Sequence, residues 1–329
     1  MSRVAVWLTN YNSEQFIAAA IESVLQQTHK DLVLFIADNN STDAAPDIIG
    51  RYCMSDVRVR TIEVKAGIKG IPMMRGVWEY IRKLEGCDYA ITIGGHDVWE
   101  SVDHLATLVE RAEVHKDAAI VYSDTWQIDF ENKICSHYKD IHQFDTAVPH
   151  ILTPQNVICT VSSPQLFGLW RHSVMRQIPL RHCCSGWDHL IVAEASTHGA
   201  ILFEGRVKLF MRRPPYDDDL TKYGERHLDK ETLSSGAVDF HRQLEWMLHN
   251  IDRALLNVPE SARPLYKMLS VSSMIASYIT LRGMNLYIVP GAMDSFNSHP
   301  CVQQIFSGAR HMSDQLQLLC AAARVEALK

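Results

Sequence analysis

The sequence predicts an α/β fold whose central sheet is mainly parallel. Two apolar runs, at residues 4–9 and 32–37, have the length and composition of buried strands. Between them, apolar residues recur at three- and four-residue spacing and predict an amphipathic helix that ends near Gln27. Strand and helix patterns go on alternating to residue 122. Such alternation is typical of a parallel sheet with helices on both faces.

The first helix has a polar residue in front of it that can serve as a cap. Asn12 is predicted to cap the helix, with Gln15 reaching back three residues later. The later elements of the alternation are predicted as a helix at 46–53, a strand at 57–63, a helix at 71–84, a strand at 89–93, a helix at 102–116 and a strand at 119–122.

The second half of the chain divides into two parts. From Trp126 to Pro154 the pattern loosens into loops and short strands, and a helix at 186–198 and a strand at 200–209 follow. Beyond a loop rich in proline and aspartate the chain reads as helical throughout. We therefore predict one α/β domain over residues 1–225 and a C-terminal helical region over residues 226–329.

Composition and charge exclude several classes of protein. The chain has 329 residues, 47% of them hydrophobic and 21% charged, which is typical of a globular protein. Its formal net charge is −6, so it has no basic field with which to bind nucleic acid. None of the eight cysteines forms a Cys-x-x-Cys pair, which favours reduced thiols in a cytoplasmic protein. A strand begins almost at the first residue, so no cleavable signal is expected.

Polar residues follow both of the first two strands. Asn10, Tyr11 and Asn12 come directly after the first strand, and the run 38–43 comes directly after the second. The carboxyl ends of neighbouring parallel strands are where an open α/β sheet binds its ligand. The sequence therefore predicts a site for a nucleotide-like molecule at this edge.

Three segments together resemble a family 2 glycosyltransferase. They are residues 4–12, 21–28 and 38–43, and the likeness extends over roughly residues 3 to 215. The resemblance implies a GT-A fold, a nucleotide-binding α/β sandwich. It also implies transfer of a sugar from a nucleotide-sugar donor to an acceptor hydroxyl, with inversion at the anomeric carbon.

The resemblance also implies which residues bind the nucleotide. Tyr11 would stack on the base, and Asp38 would accept a hydrogen bond from a uracil-type ring N–H, which favours a UDP- or dTDP-linked donor. Arg75 reaches a phosphate or the base rim, or is a surface ion-pair partner. Ser41 and Asp43 are binding residues or turn and helix-capping residues, and capping is favoured for Asp43. The nucleotide-binding set is Thr9, Asn10, Tyr11, Asp38, Ser41, Gly70 and Arg75.

The family's metal-binding acid cluster is altered in this sequence. The resemblance places an Asp-x-Asp-type motif after the strand at 89–93, where Gly94 replaces the first acid and His96 and Asp97 follow. We predict a divalent metal at Asp97, Mn²⁺ or Mg²⁺, with His96 as a second ligand; an imidazole favours Mn²⁺. The alternative is that metal binding has been lost and that Gly94 makes room for the sugar.

The remaining implied roles belong to the acceptor side and to the diphosphate. Asp188 stands where the family has the base that deprotonates the acceptor, although it can also be a helix cap. Trp170 and Trp187 are predicted to contact an acceptor sugar, and Arg212 and Arg213 to bind the diphosphate.

These observations predict a glycosyltransferase that acts in cell-surface glycan synthesis on a glycan or lipid-linked sugar acceptor. The Gly-x-Gly-x-x-Gly motif of dinucleotide-dependent oxidoreductases is missing after the first strand, as is the phosphate loop of sugar nucleotidyltransferases. A non-catalytic nucleotide-sugar binding protein with a degraded metal site is the alternative. The C-terminal helices are predicted to pair subunits, to dock on a membrane-bound partner, or only to shield the sheet.

Overall fold

A computed structural model describes residues 2–65, 70–137, 164–180, 187–195 and 198–213. The predicted boundary near residue 225 and the helical region 226–329 lie outside these ranges. Within them, no helix has both the length and the apolar composition that a membrane span requires.

The first half of the sheet is parallel. Strand β1 (Val4–Asn10) lies between β2 (Leu32–Asp38) and β4 (Tyr89–Gly94), and β3 (Val59–Thr61) pairs with β2. Because all four strands run the same way, the carboxyl ends of β1, β2 and β4 reach the same edge of the sheet.

One strand that runs in the opposite direction joins the second half of the sheet to the first. Strand β8 (Leu169–Arg171) pairs antiparallel with β4 on one side and with β6 (Ala118–Ile128) on the other. Strand β6 then pairs in parallel with β9 (Ala200–Arg212) and antiparallel with β7 (Ile134–His137), and β5 (Val98–Trp99) pairs with β9. The long registers are therefore the parallel ones, as the predicted fold class requires.

The helices cover both faces of the sheet. They are α1 (Ile17–Leu25), α2 (Ala45–Ser55), α3 (Gly70–Ile81), α4 (His104–Val114), α5 (His172–Met175) and α6 (Trp187–Ala195), with a 3₁₀ helix at Pro164–Phe167. Alternation along β1 separates the two cores: Trp7 belongs to the core that includes α3 and α6, whereas Leu8 belongs to the core that includes α1, α2 and α4.

Some local predictions fail against this arrangement. Helix α1 begins at Ile17 after Phe16 and has no side-chain cap, so the capping role predicted for Asn12 is wrong. Asn12 instead adopts a positive φ of 47° in the turn after β1, and its side-chain oxygen accepts the N–H of Thr42. Strand β6 extends to Ile128, through a region that the sequence predicted to begin loosening at Trp126.

Candidate nucleotide-sugar site

The ends of three parallel strands meet at one edge of the sheet. Asn10 is paired in register with Asp38, and Thr9 is paired with Gly94. Beyond the strand ends, the Gly95 N–H donates to the Thr9 carbonyl at 2.8 Å. The predicted site residues of β1, β2 and β4 are therefore brought together at the carboxyl edge, where such sheets bind ligands.

Asp38 is held in a network of side chains. Its Oδ1 accepts the Asn10 Nδ2–H at 2.7 Å and the Ser41 hydroxyl at 2.6 Å, and its Oδ2 accepts the Ser41 backbone N–H at 2.9 Å. A carboxylate offers about four acceptor directions. One direction on Oδ2 remains for an N–H donor of a ligand, and the half-buried carboxylate is held in a fixed orientation.

A second part of the network fastens β4 to the turn after β1. The buried Ser13 hydroxyl donates to Asn10 Oδ1 and lies 3.3 Å from the Gly95 carbonyl. A Cβ on Gly95 would collide with the Asn10 side chain, so only glycine allows this approach. Sequence reasoning did not assign Ser13 a role, although it follows the polar run after β1.

Tyr11 projects from the turn beside this network. Its side chain is 42% exposed, whereas Asn10 is 3% exposed. Thr9 is half-buried on the last part of β1. An exposed aromatic ring next to a positioned carboxylate is an arrangement that can hold a planar base.

Asp43 lies directly before helix α2 and binds two backbone N–H groups. Its carboxylate accepts the N–H of Ala45, in the first turn of α2, at 3.0 Å and the N–H of Glu14 at 2.9 Å. Both oxygens therefore bind backbone N–H groups of the protein itself. Helix α2 has Ala44 at its cap position and no side-chain cap bond, so Asp43 holds the turn in front of the helix and is not its cap, contrary to the interpretation that the sequence favoured.

Asp97 is directed into the protein. It is 2% exposed, and its oxygens accept the backbone N–H of Gly94 at 3.1 Å and of Arg212 at 2.8 Å. A Cβ on Gly94 would lie 2.5 Å from Asp97 Oδ2, so glycine at this position gives the carboxylate its space. Asp97 thus joins the end of β4 to the end of β9.

The described residues do not fit a metal centre at this loop. His96 Nε2 lies 3.7 Å from Asp97 Oδ1, and nowhere in the described ranges do three His, Cys, Asp or Glu side chains come together to hold a metal. In nucleotide sites a divalent cation often takes only one or two carboxylates, because phosphate oxygens of the substrate supply further ligands. The Asp97 oxygens, however, already bind two backbone amides.

Arg212 is also used within the protein. Its Nε donates to the His96 carbonyl at 3.0 Å, Nη1 donates to the Asp129 carbonyl at 2.8 Å, and the guanidinium lies 4.4 Å from the centre of the Phe16 ring. Burial lowers the pKa of Arg212. These contacts fasten the His96 loop, so the predicted diphosphate role must rely on the remaining donors of Arg212 or on the half-buried Arg213.

Gly70 and Arg75 lie on α3, of which Gly70 is the first residue. Arg75 is exposed. A Cβ on Gly76 would meet nothing within 4 Å, so crowding does not explain this glycine. The role of Arg75 stays a prediction.

Comparison with known families agrees with this geometry. The model of the family described as "Glycosyl transferase family 2" matches residues 5–156, a range that includes all of β1 except Val4, the strands β2 to β7 and the network around Asp38. Over these residues, which are less than half of the chain, the sequence is similar to glycosyl transferase family 2.

Curated glycosyltransferases match the chain over limited lengths. A glucosyltransferase of Escherichia coli, named UDP-Glc:alpha-D-GlcNAc-diphosphoundecaprenol beta-1,3-glucosyltransferase WfaP, is 32% identical over 97 residues, which are 28% of this chain and 38% of that protein. The uncharacterized glycosyltransferase EpsJ of Bacillus subtilis is 24% identical over 229 residues, 68% of this chain and 57% of that protein. The chain thus spans less than two thirds of each of these relatives.

A solved structure shares the fold. S. aureus TarS residues 1–349, crystallised in complex with UDP-GlcNAc, superposes with a TM-score of 0.53 at 14% identity, over 94% of this chain and 92% of that one. At this level of identity the likeness concerns the fold, which is that of the GT-A glycosyltransferases.

Asp188, which the sequence predicts to be the base, lies at the start of a helix. Asp188 is half-buried in the first turn of α6, and Ile191 and Val192 of the same helix are fully buried in the core that contains Trp7. The helix N-terminus stabilises a carboxylate in its ionised form. Trp187 is the first residue of α6, and its predicted contact with an acceptor stays a prediction.

Trp170 does not serve the acceptor role that was predicted for it. The residue is 2% exposed, its indole N–H donates to the Leu166 carbonyl at 3.0 Å, and its ring packs edge-on against Trp78. A ring so enclosed has no surface to offer a sugar. The prediction is wrong because Trp170 lies on β8, between two neighbouring strands in the middle of the sheet.

Proposed function

We propose that this protein is a glycosyltransferase that moves a sugar from a nucleotide-sugar to an acceptor hydroxyl. The observation that carries the proposal is the positioned Asp38 carboxylate, held by Asn10 and Ser41 at the carboxyl edge of a family 2 domain. The exposed ring of Tyr11 beside it provides a surface for a base.

The donor that suits this site is linked to UDP or dTDP. The remaining acceptor direction of Asp38 matches the single ring N–H of uracil or thymine. WfaP, whose name specifies UDP-glucose, supports a uridine donor. Guanine also presents N–H donors, so GDP is the nucleotide against which the preference is tested.

The reaction we propose is a single displacement. Asp188 accepts the proton of the acceptor hydroxyl, whose oxygen attacks the anomeric carbon as the bond from that carbon to the diphosphate oxygen breaks. The nucleoside diphosphate leaves with the bonding electrons, and the configuration is inverted. Arg75 and Arg213 are the cationic side chains proposed to approach the diphosphate, since guanidinium matches phosphate geometry.

The steps proposed here use only side chains of the protein. A divalent ion at Asp97 was predicted from the family's acid cluster, but the described residues do not supply a ligand set for it. Nucleotide binding is therefore to be measured both with and without a divalent ion.

The acceptor we propose is the sugar of a glycan or of a lipid-linked precursor. The name of WfaP, which specifies a sugar on diphosphoundecaprenol, supports the second of these. A role in cell-surface glycan synthesis, a cytoplasmic location and peripheral association with a membrane follow from such an acceptor.

A non-catalytic nucleotide-sugar binding protein is the second candidate. Gly94 in the acid cluster and the internal bonds of Asp97 favour it, because both remove ligands that a metal-dependent transferase would use.

One experiment separates these candidates. Calorimetry measures binding of UDP, dTDP and GDP to the wild type and to Asp97→Ala, each with and without Mn²⁺, and hydrolysis of the matching UDP-, dTDP- or GDP-sugar reports turnover. Binding of one nucleotide together with turnover of its sugar conjugate supports the transferase. Binding without turnover over a broad donor and acceptor panel favours the binding protein, and no binding of any nucleotide contradicts both.

A further inference from the structure

Strands β6 and β7 carry a compact cluster of three side chains that the nucleotide site does not use. Trp126 and His137 are directly paired across the two strands, and their rings stack with centroids 3.8 Å apart and planes 11° apart. Asp124 binds both: its Oδ2 accepts the Trp126 indole N–H at 2.8 Å, and its Oδ1 lies 2.6 Å from His137 Nε2. We call these three residues the aromatic cluster.

The strand registers place the aromatic cluster at the edge of the sheet that holds the nucleotide site. Trp170 of β8 pairs with Ala90 of β4 and with Ile120 of β6. Because β4 and β6 both run antiparallel to β8, they run parallel to each other. Four residues further along each strand lie Gly94 and Asp124, which are therefore at about the same height.

The cluster also lies on the same face of the sheet as the predicted base. Alternate residues of a strand share a face, and Ile120 and Tyr122 belong to the core that contains the buried residues of α6. Asp124 and Trp126 continue this alternation toward the carboxyl edge. Helix α6, whose first turn carries Asp188, covers that face.

Trp126 differs from the core tryptophan Trp170 in how it is held. Trp170 is 2% exposed, whereas Trp126 is half-buried, so part of the Trp126 ring reaches the surface. The side chains that fix it are themselves mostly buried, with 13% exposure for Asp124 and 16% for His137. The bond from the indole N–H to Asp124 and the stacking on His137 fix the orientation of the indole.

We propose that Trp126, oriented by Asp124 and His137, is the platform on which the pyranose ring of the acceptor stacks. The inference rests on the proposed transferase function and locates the acceptor side of the same site. An indole presents a large apolar surface to the C–H face of a sugar, and sites of this kind combine aromatic walls with a few fixed polar groups. Asp124 and His137 act here as positioning residues.

The test uses methyl glycosides of glucose, galactose, mannose, N-acetylglucosamine and rhamnose as acceptor probes. Their binding to the full chain is measured by saturation-transfer NMR titration in the presence of saturating UDP. At least one glycoside is expected to bind the wild type, and Trp126→Leu is expected to weaken it by about tenfold, the size of one aromatic contact. Binding of none of the five by the wild type, or equal binding by Trp126→Leu, would overturn the proposal.

A matched variant separates the platform from general damage to the hairpin. Phe130 lies between β6 and β7 and packs on Phe16. Phe130→Leu is expected to leave glycoside affinity within about twofold of the wild type, because it removes an aromatic ring from the same hairpin without touching the cluster. An equal loss in both variants would contradict a specific platform.

A double variant tests the positioning role of Asp124. Asp124→Asn is expected to weaken glycoside binding, and the combination of Asp124→Asn with Trp126→Leu should be no weaker than Trp126→Leu alone, since Asp124 acts through the indole. If the losses of glycoside affinity in the two single variants added up in the double variant, Asp124 would contact the sugar itself. That result would contradict the positioning role.

UDP binding distinguishes failure of this inference from failure of the proposed function. Calorimetric UDP affinity is expected to stay within about twofold in all these variants, since the cluster lies apart from Asp38. If the wild type binds no nucleotide, the transferase proposal fails. If nucleotide binding is intact but Trp126→Leu leaves glycoside binding unchanged, only the platform is wrong.

Discussion

The carboxylate of Asp97 accepts the backbone N–H of Arg212 at 2.8 Å across 115 residues of chain. This bond ties the loop after β4 to the end of β9, and the Arg212 side chain ties the same loop again through the His96 carbonyl. In this protein, the loop at the position of the family's acid cluster therefore links the end of β4 to the end of β9.

Replacing Asp97 should reduce stability. Asp97→Asn keeps the size of the side chain but sets an amide donor against one of the two backbone N–H groups. We expect the free energy of unfolding to fall by about 1–3 kcal/mol, the usual cost of a buried unpaired polar group. Denaturant unfolding measures this change. The exposed Asp117 provides the control, because Asp117→Asn should change stability by no more than about 0.5 kcal/mol. Unchanged stability of Asp97→Asn, together with loss of Mn²⁺-dependent nucleotide binding, would instead identify a metal ligand.

Two glycines should respond in opposite directions to a methyl group. Gly94→Ala forces a Cβ to within 2.5 Å of Asp97 Oδ2 and should destabilise the fold by about 1–3 kcal/mol. Gly76→Ala meets open space inside a helix and should stabilise it by about 0.5–1 kcal/mol. Denaturation midpoints of the two variants measure the difference. If Gly94→Ala were neutral, the Asp97 carboxylate would not occupy the space that the structure assigns to it.

Asp38 should govern nucleotide affinity. Asp38→Asn removes an ionised acceptor from the base site, and a hydrogen bond to a charged group contributes about 1.5–3 kcal/mol. We therefore expect UDP to bind at least about tenfold more weakly, as measured by calorimetry. Asp43→Asn changes a carboxylate whose oxygens already accept the backbone N–H groups of Glu14 and Ala45, so its UDP affinity should stay near that of the wild type. Equal losses in the two variants would show that the effect is not base recognition.

Asp188 should affect turnover and not donor binding. With water as the acceptor, hydrolysis of the UDP-sugar should slow by about 10²–10⁴-fold in Asp188→Asn, the usual contribution of a general base. UDP affinity should be unchanged, because the proposed contact is with the acceptor. Wild-type hydrolysis by Asp188→Asn would remove Asp188 from the mechanism.

The stability of the domain should fall in mild acid because of His104. This residue is fully buried against the Trp99 ring, and burial lowers its pKa from 6.5 to about 3. The unfolded chain therefore binds a proton between these values that the folded protein excludes. The stability that comes from keeping His104 neutral is complete above pH 6.5 and is lost as the pH falls toward 3. Over this range the free energy of unfolding falls by up to about 1.4 kcal/mol per pH unit.

Unfolding free energies measured from pH 7.5 down to 4 test this expectation. His104→Leu should flatten the slope, whereas His115→Gln, at the half-buried end of α4, should leave it in place. A slope that survives in His104→Leu would assign the acid sensitivity to other groups.

The local sequence pattern was sufficient to predict where the strands that end at Asn10 and Asp38 stop. Their positions follow from apolar runs that end in polar residues, and parallel strands bring such ends to one edge. Patterns of this kind also predicted the order of most strands and helices. The cap predicted for α1 at Asn12 is wrong because the turn after β1 continues to Phe16, and bonds to the Asp38–Asp43 segment, which no local pattern reveals, hold this turn.

The partners of Asp97, Trp170 and Trp126 were decided by the tertiary structure. The Asp97 carboxylate accepts N–H groups from both Gly94 and Arg212, and Trp170 is enclosed between two strands. Both arrangements depend on how distant segments of the chain pack. Residue type indicates that an aspartate can bind a metal and that a tryptophan can bind a sugar. Whether their atoms are instead used inside the protein depends on burial and register, which arise only when the whole sheet has formed.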